Sequence, residues 1–289
     1  MSIVVMAVIY FFVFAFGVCV GSFLNVVIYR IPHNMDFVRG RSICPSCKHE
    51  LVALDIIPVI SYLLLGRRCR YCHKQISIRY MLVEFAGGIL AVCCWLYFMG
   101  SSESELIFGL NSIYIFLSVI HSLVGALLGS ITLPLAASLY FAVLCILLTI
   151  SLIDTDTMQI PDGLNIALAI CGVLSALVIS DITLLERFIG ALICSLPLFL
   201  VTFIVPGAFG GGDIKLLAAA GILLGWQSCL VALFIGVIIG GTYGIYLILA
   251  RMKGRKEHFA FGPALCIGIA IALFFGRTII EFYVSLSAI

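Results

Sequence analysis

The stretch "IVVMAVIYFFVFAFGVCVGSFLNVVIY", residues 3–29, carries no Lys, Arg, Asp, Glu or His. A helix needs about 20 mostly apolar residues to cross a bilayer, and this stretch is longer than that. It lacks a preceding basic segment and a small-residue cleavage site, so we predict a retained span rather than a signal peptide. Further apolar runs follow at 82–99, 106–129, 132–153, 164–180, 186–206, 214–226, 228–250 and 264–284. The sequence therefore predicts an all-α polytopic membrane protein with about eight spanning helices.

The composition agrees with this class. Of the 289 residues, 63% are hydrophobic and 10% are charged, and the mean hydropathy is +1.26. Soluble domains carry about 25% charged residues. These values exclude an ordinary soluble domain, and the formal net charge of +2 does not predict a nucleic-acid partner.

The positive charges indicate an orientation in the membrane. Nine of the 16 Lys and Arg residues lie between Arg30 and Arg79, and four lie between Arg251 and Lys256. Because cationic loops stay in the cytoplasm, both clusters are expected inside, and the cation-free stretch 101–105 outside. If each of the nine apolar runs crossed the membrane once, the basic cluster 251–256 would lie outside, against this orientation. We therefore expect one run within 106–153 to be re-entrant or merged with its neighbour, with Gly125, Gly129 and Pro134 as breaks.

Two Cys-x-x-Cys pairs lie in the basic segment 30–80. "CPSC" at 44–47 and "CRYC" at 69–72 have the spacing of two zinc knuckles. Four thiolates favour a closed structural zinc site, because a catalytic zinc keeps one position open. A redox dithiol and an iron–sulfur cluster are the alternatives. We expect His49 and His73 to be surface residues of the knuckles and the eight other cysteines, in apolar runs, to act as small hydrophobic residues.

Acidic residues at the edges of apolar runs are the second chemical feature. Asp154 ends one run, and Asp213 follows Gly210–Gly212 and begins another. Two carboxylates held together share a proton, which suits general acid–base hydrolysis of a peptide bond. Asp213 could instead cap its own helix, and the two acids could form an ion or proton pathway.

The other edge acids have simpler interpretations. Asp162 is expected to cap the helix that follows it, and Asp156 to be a solvated loop acid. Glu84, just inside the second run, could form an ion pair with Arg79 or Arg30.

Several stretches together resemble the bacterial type IV prepilin leader peptidases. They are "GSFLNVVIYRIP" (21–32), the two Cys-x-x-Cys pairs, "IIPVISYLLLGRRCRYC" (56–72), "ISIRYMLVEFAGG" (76–88), "LIDTDTMQIPDGLN" (152–165), "GGGDIKLLAAAG" (210–221) and "FGP" (261–263). The likeness covers about residues 17 to 263. "GRRC" stands where "GGKC" is common, Met81 stands where Pro often follows Tyr, and the apolar length within 100–131 is unusual.

The resemblance implies a bifunctional enzyme of the bacterial inner membrane. It would remove the basic leader of type IV prepilins or pseudopilins of type II secretion, and then N-methylate the new N-terminal residue with S-adenosylmethionine. It implies catalytic roles for Asp154 and Asp213, with Gly210, Gly212 and Lys215 supporting the catalytic loop. The same Gly-x-Gly-Asp signature is similar to that of other intramembrane aspartyl proteases.

The resemblance also associates the cysteine module with methyl transfer. Its zinc ligands would be Cys44, Cys47, Cys69 and Cys72, and residues Gly21, Asn25 and Arg30 of a neighbouring motif are candidates for binding the methyl donor. The expected parts are a first span (1–29), the zinc module (30–80), further spans (81–153) and a peptidase core from Asp154 onward (154–289). A peptidase without methyltransferase activity and an ion-coupled transporter remain alternatives.

Overall fold

The computed structural model describes residues 3–105, 115–179, 181–205, 209–250 and 259–287. These residues form helices, turns and loops, with no β-strand among them. The helices are α1 (Ile3–Arg30), α2 (Ile60–Leu64), α3 (Ile78–Glu105), α4 (Ile115–Thr157), α5 (Asp162–Val178), α6 (Leu184–Ile204), α7 (Gly211–Leu249) and α8 (Gly262–Ser287). The predicted all-α class is confirmed.

Six of these helices contain a segment long and apolar enough to cross a membrane. The segments are Val4–Arg30, Ile78–Phe98, Leu133–Thr157, Leu184–Ile204, Gly211–Leu249 and Gly262–Leu286. Helix α5 is apolar but shorter, with 17 residues. Helix α7 is interrupted at Gly225, where φ is 73° and ψ is 173°. The described residues therefore hold six candidate spans and one shorter apolar helix, where the sequence predicted about eight spanning helices.

The ambiguous region 106–153 forms one helix where it is described. Helix α4 runs from Ile115 to Thr157 and continues through Pro134 without ending. The two apolar runs predicted there are therefore merged. Residues 106–114 and the basic cluster 251–256 lie outside the described residues. The stretch 101–105, predicted as a loop, is the last part of α3.

The chain divides into two compact units, 1–141 and 142–289. In the first unit, α1 and α3 pack closely through small residues. A Cβ on Gly21 would lie 2.8 Å from the Cα of Glu84, and a Cβ on Gly87 would lie 3.0 Å from the Cα of Gly21. Small residues allow such close approach of membrane helices, and here they place the carboxyl end of α1 beside the amino end of α3.

In the second unit, α7 packs against α5, α6 and α8. Its closest approach to α6 is at Gly190, where a Cβ would lie 2.6 Å from the carbonyl oxygen of Gly221. The central position of α7 matters for function, because its first turn carries Asp213.

A buried cation fixes α7 at its interruption. Arg187 of α6 is 3% exposed. Its guanidinium group donates to Ser175 Oγ of α5 at 2.6 Å and to the Ile222 carbonyl oxygen of α7 at 2.9 Å. Carbonyl groups beside a helix break lose their helical donors and need others. Arg187 supplies one and thereby ties three helices together.

Candidate active site and metal centre

Asp154 lies near the end of α4 and is only 5% exposed. Its Oδ2 atom accepts a hydrogen bond of 2.9 Å from the backbone N–H of Gly262, at the start of α8. A Cβ on Gly262 would lie 2.6 Å from that oxygen, so this position has no room for a side chain. The amino end of a helix favours negative charge. Helix α8 thus receives the Asp154 carboxylate at its first residue.

Asp213 lies in the first turn of α7 and is 8% exposed. Its Oδ2 atom accepts a hydrogen bond of 3.2 Å from the N–H of Gly210, so the expected capping of its own helix is present. A Cβ on Gly210 would lie 3.1 Å from that oxygen, and one on Gly212 would lie 2.9 Å from Ile160 Cβ. These two glycines provide space for the carboxylate and for the loop after Asp154.

The two aspartates are brought together within the second unit. Each carboxylate accepts a hydrogen bond from a backbone N–H at the amino end of a helix, Asp154 from Gly262 of α8 and Asp213 from Gly210 before α7. The pair therefore combines residues 59 positions apart: Asp154 is near the end of α4 with its carboxyl group at the amino end of α8, and Asp213 is at the amino end of α7. Two adjacent carboxyl groups with little access to water share a proton readily, because both cannot ionise at low cost.

The remaining acids of this region are exposed. Asp162 is the first residue of α5, and Pro161 takes the N-cap position without a side-chain hydrogen bond, so the expected capping by Asp162 is wrong. Asp162 instead forms an ion pair of 2.7 Å with Lys215, which links the start of α5 to the start of α7. Asp156 is exposed.

The sequence interpretation missed the role of Gly262. The motif "FGP" at 261–263 was part of the family resemblance but received no function. Pro263 at the second position of α8 fits a helix start, since proline needs no N–H partner there. That start was a usable signal for a helix terminus, but not for its contact with Asp154.

The four cysteines of the knuckles form one cluster. The Sγ atoms of Cys44, Cys47, Cys69 and Cys72 all lie within 4.8 Å of one another. Cys44 Sγ and Cys72 Sγ are 4.0 Å apart. Zinc–sulfur bonds of 2.3 Å in a tetrahedron separate the sulfurs by roughly 3.8 Å, so this set fits a tetrahedral ion with little adjustment.

The two knuckles have the same backbone design. The N–H of Cys44 donates to the His49 carbonyl at 2.9 Å, and that of Cys69 donates to the Lys74 carbonyl at 3.0 Å. Lys48 and His73 occupy the equivalent position after each second cysteine, with φ of 59° and 56°. His49 is exposed, as expected of a surface residue of the knuckle, and its ring packs on Tyr71 with 3.7 Å between ring centroids.

The environment of Cys44 favours the thiolate. Burial raises the pKa of this thiol, but the backbone N–H groups of Cys47 and Ser46 and the neighbouring thiols donate to it and lower the pKa to about 7. The thiolate is the form that binds metal ions. The knuckle backbone therefore prepares the cluster for a cation.

The three candidate residues for the methyl donor all have structural contacts. Gly21 lies at the α1–α3 contact. Asn25 Nδ2 donates to the Tyr80 carbonyl at 2.9 Å. The Arg30 guanidinium donates to the carbonyl groups of Asp36, Arg39 and Arg41 and so closes the loop after α1. Asn25 and Arg30 also line a cavity of about 400 Å³ in the first unit.

The fold and these sites define a multi-pass membrane protein with a four-cysteine cluster whose geometry fits a metal ion and with a pair of buried acids. Comparison with known families gives two matches. Residues 15–98 match the bacterial Peptidase A24 N-terminal domain. Residues 141–245 match the type IV leader peptidase family.

Named relatives cover nearly the whole chain. It is 32% identical to a prepilin leader peptidase/N-methyltransferase of Aeromonas salmonicida, over 94% of this chain and 93% of the relative. It is 32% identical to one of Burkholderia pseudomallei over 92% and 85%, and 27% identical to one of Bacillus subtilis over 95% and 97%. No solved structure matches. The chain belongs to the type IV leader peptidase family, and it is an enzyme.

Proposed function

We propose that this protein cleaves the basic leader from prepilins or pseudopilins with Asp154 and Asp213, and then methylates the new N-terminal amine. The observation that carries the cleavage function is that both carboxylates are buried in one unit and each accepts a hydrogen bond from a backbone N–H at the amino end of a helix. The names of the relatives supply the substrate class and the second reaction.

The pair performs hydrolysis as a general base and a general acid. The ionised carboxylate takes a proton from water, whose oxygen attacks the carbonyl carbon of the scissile bond. The protonated carboxyl group gives its hydrogen to the carbonyl oxygen. When the tetrahedral intermediate collapses, the C–N bond breaks and the leaving amine receives the proton taken from water. The other carboxyl group regains its proton from the intermediate.

The position of the acids suits this substrate. A prepilin is an apolar helix that follows a basic leader, so its scissile bond lies where the bilayer meets the cytoplasm. Asp154 is near the end of the α4 span and Asp213 is at the start of the α7 span. Basic loops remain in the cytoplasm. The segment 30–80 is rich in Lys and Arg. We therefore place the active site and the cysteine module on the cytoplasmic side of the inner membrane.

Methyl transfer is assigned to the first unit, which contains the cysteine cluster. Cys44, Cys47, Cys69 and Cys72 would hold a structural zinc ion that joins the two knuckles. S-adenosylmethionine would supply a sulfonium methyl group: the lone pair of the amine forms the new C–N bond, the C–S pair stays on sulfur, and the amine proton leaves to water.

Purified full-length protein in nanodiscs, given a synthetic prepilin and labelled S-adenosylmethionine, tests the proposal. We expect leader removal followed by label on the mature N-terminus. Cleavage without label would leave a peptidase only. Ion uptake into proteoliposomes without leader removal would contradict the proposed use of the two aspartates in cleavage.

Gly262→Ala is expected to slow cleavage by about a hundredfold, because a displacement of about 1 Å at a catalytic group has that cost. The added methyl group would lie 2.6 Å from Asp154 Oδ2 and must push the carboxylate away. Single-turnover cleavage rates measure this effect. Gly163→Ala is the matched control, because nothing lies within 4 Å of its added Cβ. Equal rates for both variants would remove Gly262 from the site.

Cleavage is expected to have a bell-shaped pH profile. At low pH both carboxyl groups are protonated and no base is present, whereas at high pH both are ionised and no acid is present. Rates measured over roughly pH 4 to 9 cover the range in which such a pair titrates. A flat profile would contradict proton sharing.

A further inference from the structure

A cavity of about 400 Å³ lies in the first unit, where α1 and α3 meet the cysteine module. Its wall includes residues from the end of α1, from the start of α3 and from both knuckles. Small-molecule sites in proteins have volumes of about 300 to 1,000 Å³, so one ligand of nucleoside size fits. Buried Cys44 and Cys69 form part of the wall. The four-cysteine cluster therefore borders the cavity directly.

Glu84 places an oriented carboxyl group at this cavity. Its Oε1 atom accepts from Ser22 Oγ at 2.8 Å, and its Oε2 atom accepts from the Val59 N–H at 2.7 Å. Both donors are neutral, so they orient the carboxylate without cancelling its charge. The expected ion pair of Glu84 with Arg30 is not formed, because the Arg30 guanidinium is bound to loop carbonyls.

The other acid of the wall is already neutralised. Asp55 Oδ1 forms an ion pair of 2.7 Å with Arg70 Nε. Glu84 is therefore the carboxylate of the cavity whose described partners leave it free to attract a cation. The backbone of Val59, which donates to Glu84, is strained. Its φ is 60°, a value that β-branched residues rarely adopt. Backbone strain of this kind concentrates at functional sites.

A second polar group points to a missing ligand. Tyr62 is 6% exposed and lines the cavity, and its hydroxyl has no hydrogen-bond partner among the described residues. A buried hydroxyl group without a partner is costly in a folded protein. Tyr29 and Tyr80 also line the cavity. Aromatic rings stack on a planar base and attract a cation, so the wall suits a ligand that contains both.

We propose that this cavity binds S-adenosylmethionine, with Glu84 holding its cationic part and Tyr62 donating to or accepting from its polar part. This inference rests on the proposed methyl transfer. It replaces Gly21 and Arg30, whose contacts are structural, with Glu84 and Tyr62 as the residues that recognise the methyl donor. A ligand with a sulfonium group, an ammonium group and an adenine ring matches the charge, the hydroxyl group and the aromatic rings together.

The test measures binding rather than turnover. Binding is measured by calorimetry on the full chain in nanodiscs. One series uses S-adenosylhomocysteine as the ligand, and a second series uses labelled S-adenosylmethionine. Glu84→Gln has the same shape and removes the charge: the amide oxygen can accept from the Val59 N–H, and the amide NH2 can donate to Ser22 Oγ, whose hydroxyl group then reverses its role. We expect about tenfold weaker binding of S-adenosylmethionine, in line with a lost charge-assisted contact, and a smaller loss for its uncharged-sulfur product. Tyr62→Phe is expected to weaken both ligands severalfold.

Two controls keep the outcome clear. Glu50→Gln makes the same change on the module, at an exposed residue paired with Arg41, and should bind as wild type does. Asp213→Asn should lose cleavage and keep binding. Each variant must also keep its melting temperature and zinc content. Tyr62→Phe serves as the second variant if Glu84→Gln does not fold.

Several results would overturn the assignment. Unchanged affinity in both Glu84→Gln and Tyr62→Phe would do so, as would photo-crosslinking of labelled donor to peptides outside 22–84. A phospholipid that copurifies with wild type and is lost in Glu84→Gln, with donor binding unchanged, would make the cavity a lipid site. If the wild-type protein methylates pilin but any of these results is obtained, only the assignment of the cavity to the methyl donor is refuted. If the wild-type protein neither binds S-adenosylmethionine nor methylates pilin, the proposed methyl transfer is refuted as well.

Discussion

Replacing Asp213 with Asn is expected to reduce prepilin cleavage by at least about a thousandfold, within the range of about a hundredfold to ten-thousandfold for loss of general acid–base catalysis. Asn has the same shape and keeps an oxygen that accepts the Gly210 N–H. It cannot ionise, so the pair loses the proton that it must exchange with water and the leaving amine. Single-turnover cleavage of a synthetic prepilin by the purified variant measures the loss.

Asp181→Asn is the matched control for this substitution. Asp181 lies in the same unit but is exposed and forms a surface ion pair of 2.8 Å with Arg277. Such pairs contribute at most about 1 kcal/mol to stability. We expect cleavage by this variant to be unchanged. If Asp213→Asn still cleaves at a rate near that of Asp181→Asn, Asp213 is not a catalytic residue.

Removal of the metal is expected to abolish methylation and to spare cleavage. Structural zinc contributes about 10 kcal/mol or more to the folding of small modules, which exceeds what the segment between α1 and α3 gains from its small core. Cys69→Ser removes one buried ligand of the cluster. The knuckles then separate, and the cavity that they border is lost. The aspartate pair lies in the other unit and keeps its contacts.

Zinc content, methyl incorporation and leader cleavage, measured on the same preparation, test this separation. Cys19→Ser is the control, because Cys19 is an exposed thiol of α1 outside the cluster. It should keep all three properties. Full methylation by metal-free protein would show that the module has no part in that reaction. Equal loss of cleavage and methylation would show that the two units do not work separately.

The cysteine cluster could be predicted from sequence because its ligands are local. Two pairs with two intervening residues each place their thiols on tight turns, and only the meeting of the two turns depends on the fold. The membrane spans could also be predicted from sequence, because a long run of apolar side chains in a helix is suited to the interior of a bilayer. Gly225 even marks the boundary between the predicted runs 214–226 and 228–250.

The aspartate pair was less accessible to physical reasoning. Asp154 and Asp213 lie on different helices, and their charges alone left capping and ion transport open. The family motifs selected the pair, and the structure shows that α8 also contributes through Gly262. Backbone donors of this kind carry no side-chain signal, so a sequence does not reveal them.

The cavity could not be predicted for a different reason. Its lining comes from residues between 22 and 84 that share no spacing pattern, and it exists only where two helices and two knuckles pack. Gly21, Asn25 and Arg30 were selected because they stand in a family motif. Their contacts hold helices and a loop together, whereas the Tyr62 hydroxyl has no partner among the described residues and the Glu84 carboxyl group has neutral donors.

The most direct test of the central claim compares two acids of the same helix end. Asp154 is buried and bonded to Gly262, whereas Asp156, two residues later, is exposed. The measurement is the single-turnover rate of prepilin cleavage by purified Asp154→Asn and Asp156→Asn. The paired-carboxylate mechanism predicts a loss of at least about a thousandfold for Asp154→Asn and a rate near wild type for Asp156→Asn. Cleavage by Asp154→Asn at a rate near wild type would contradict it.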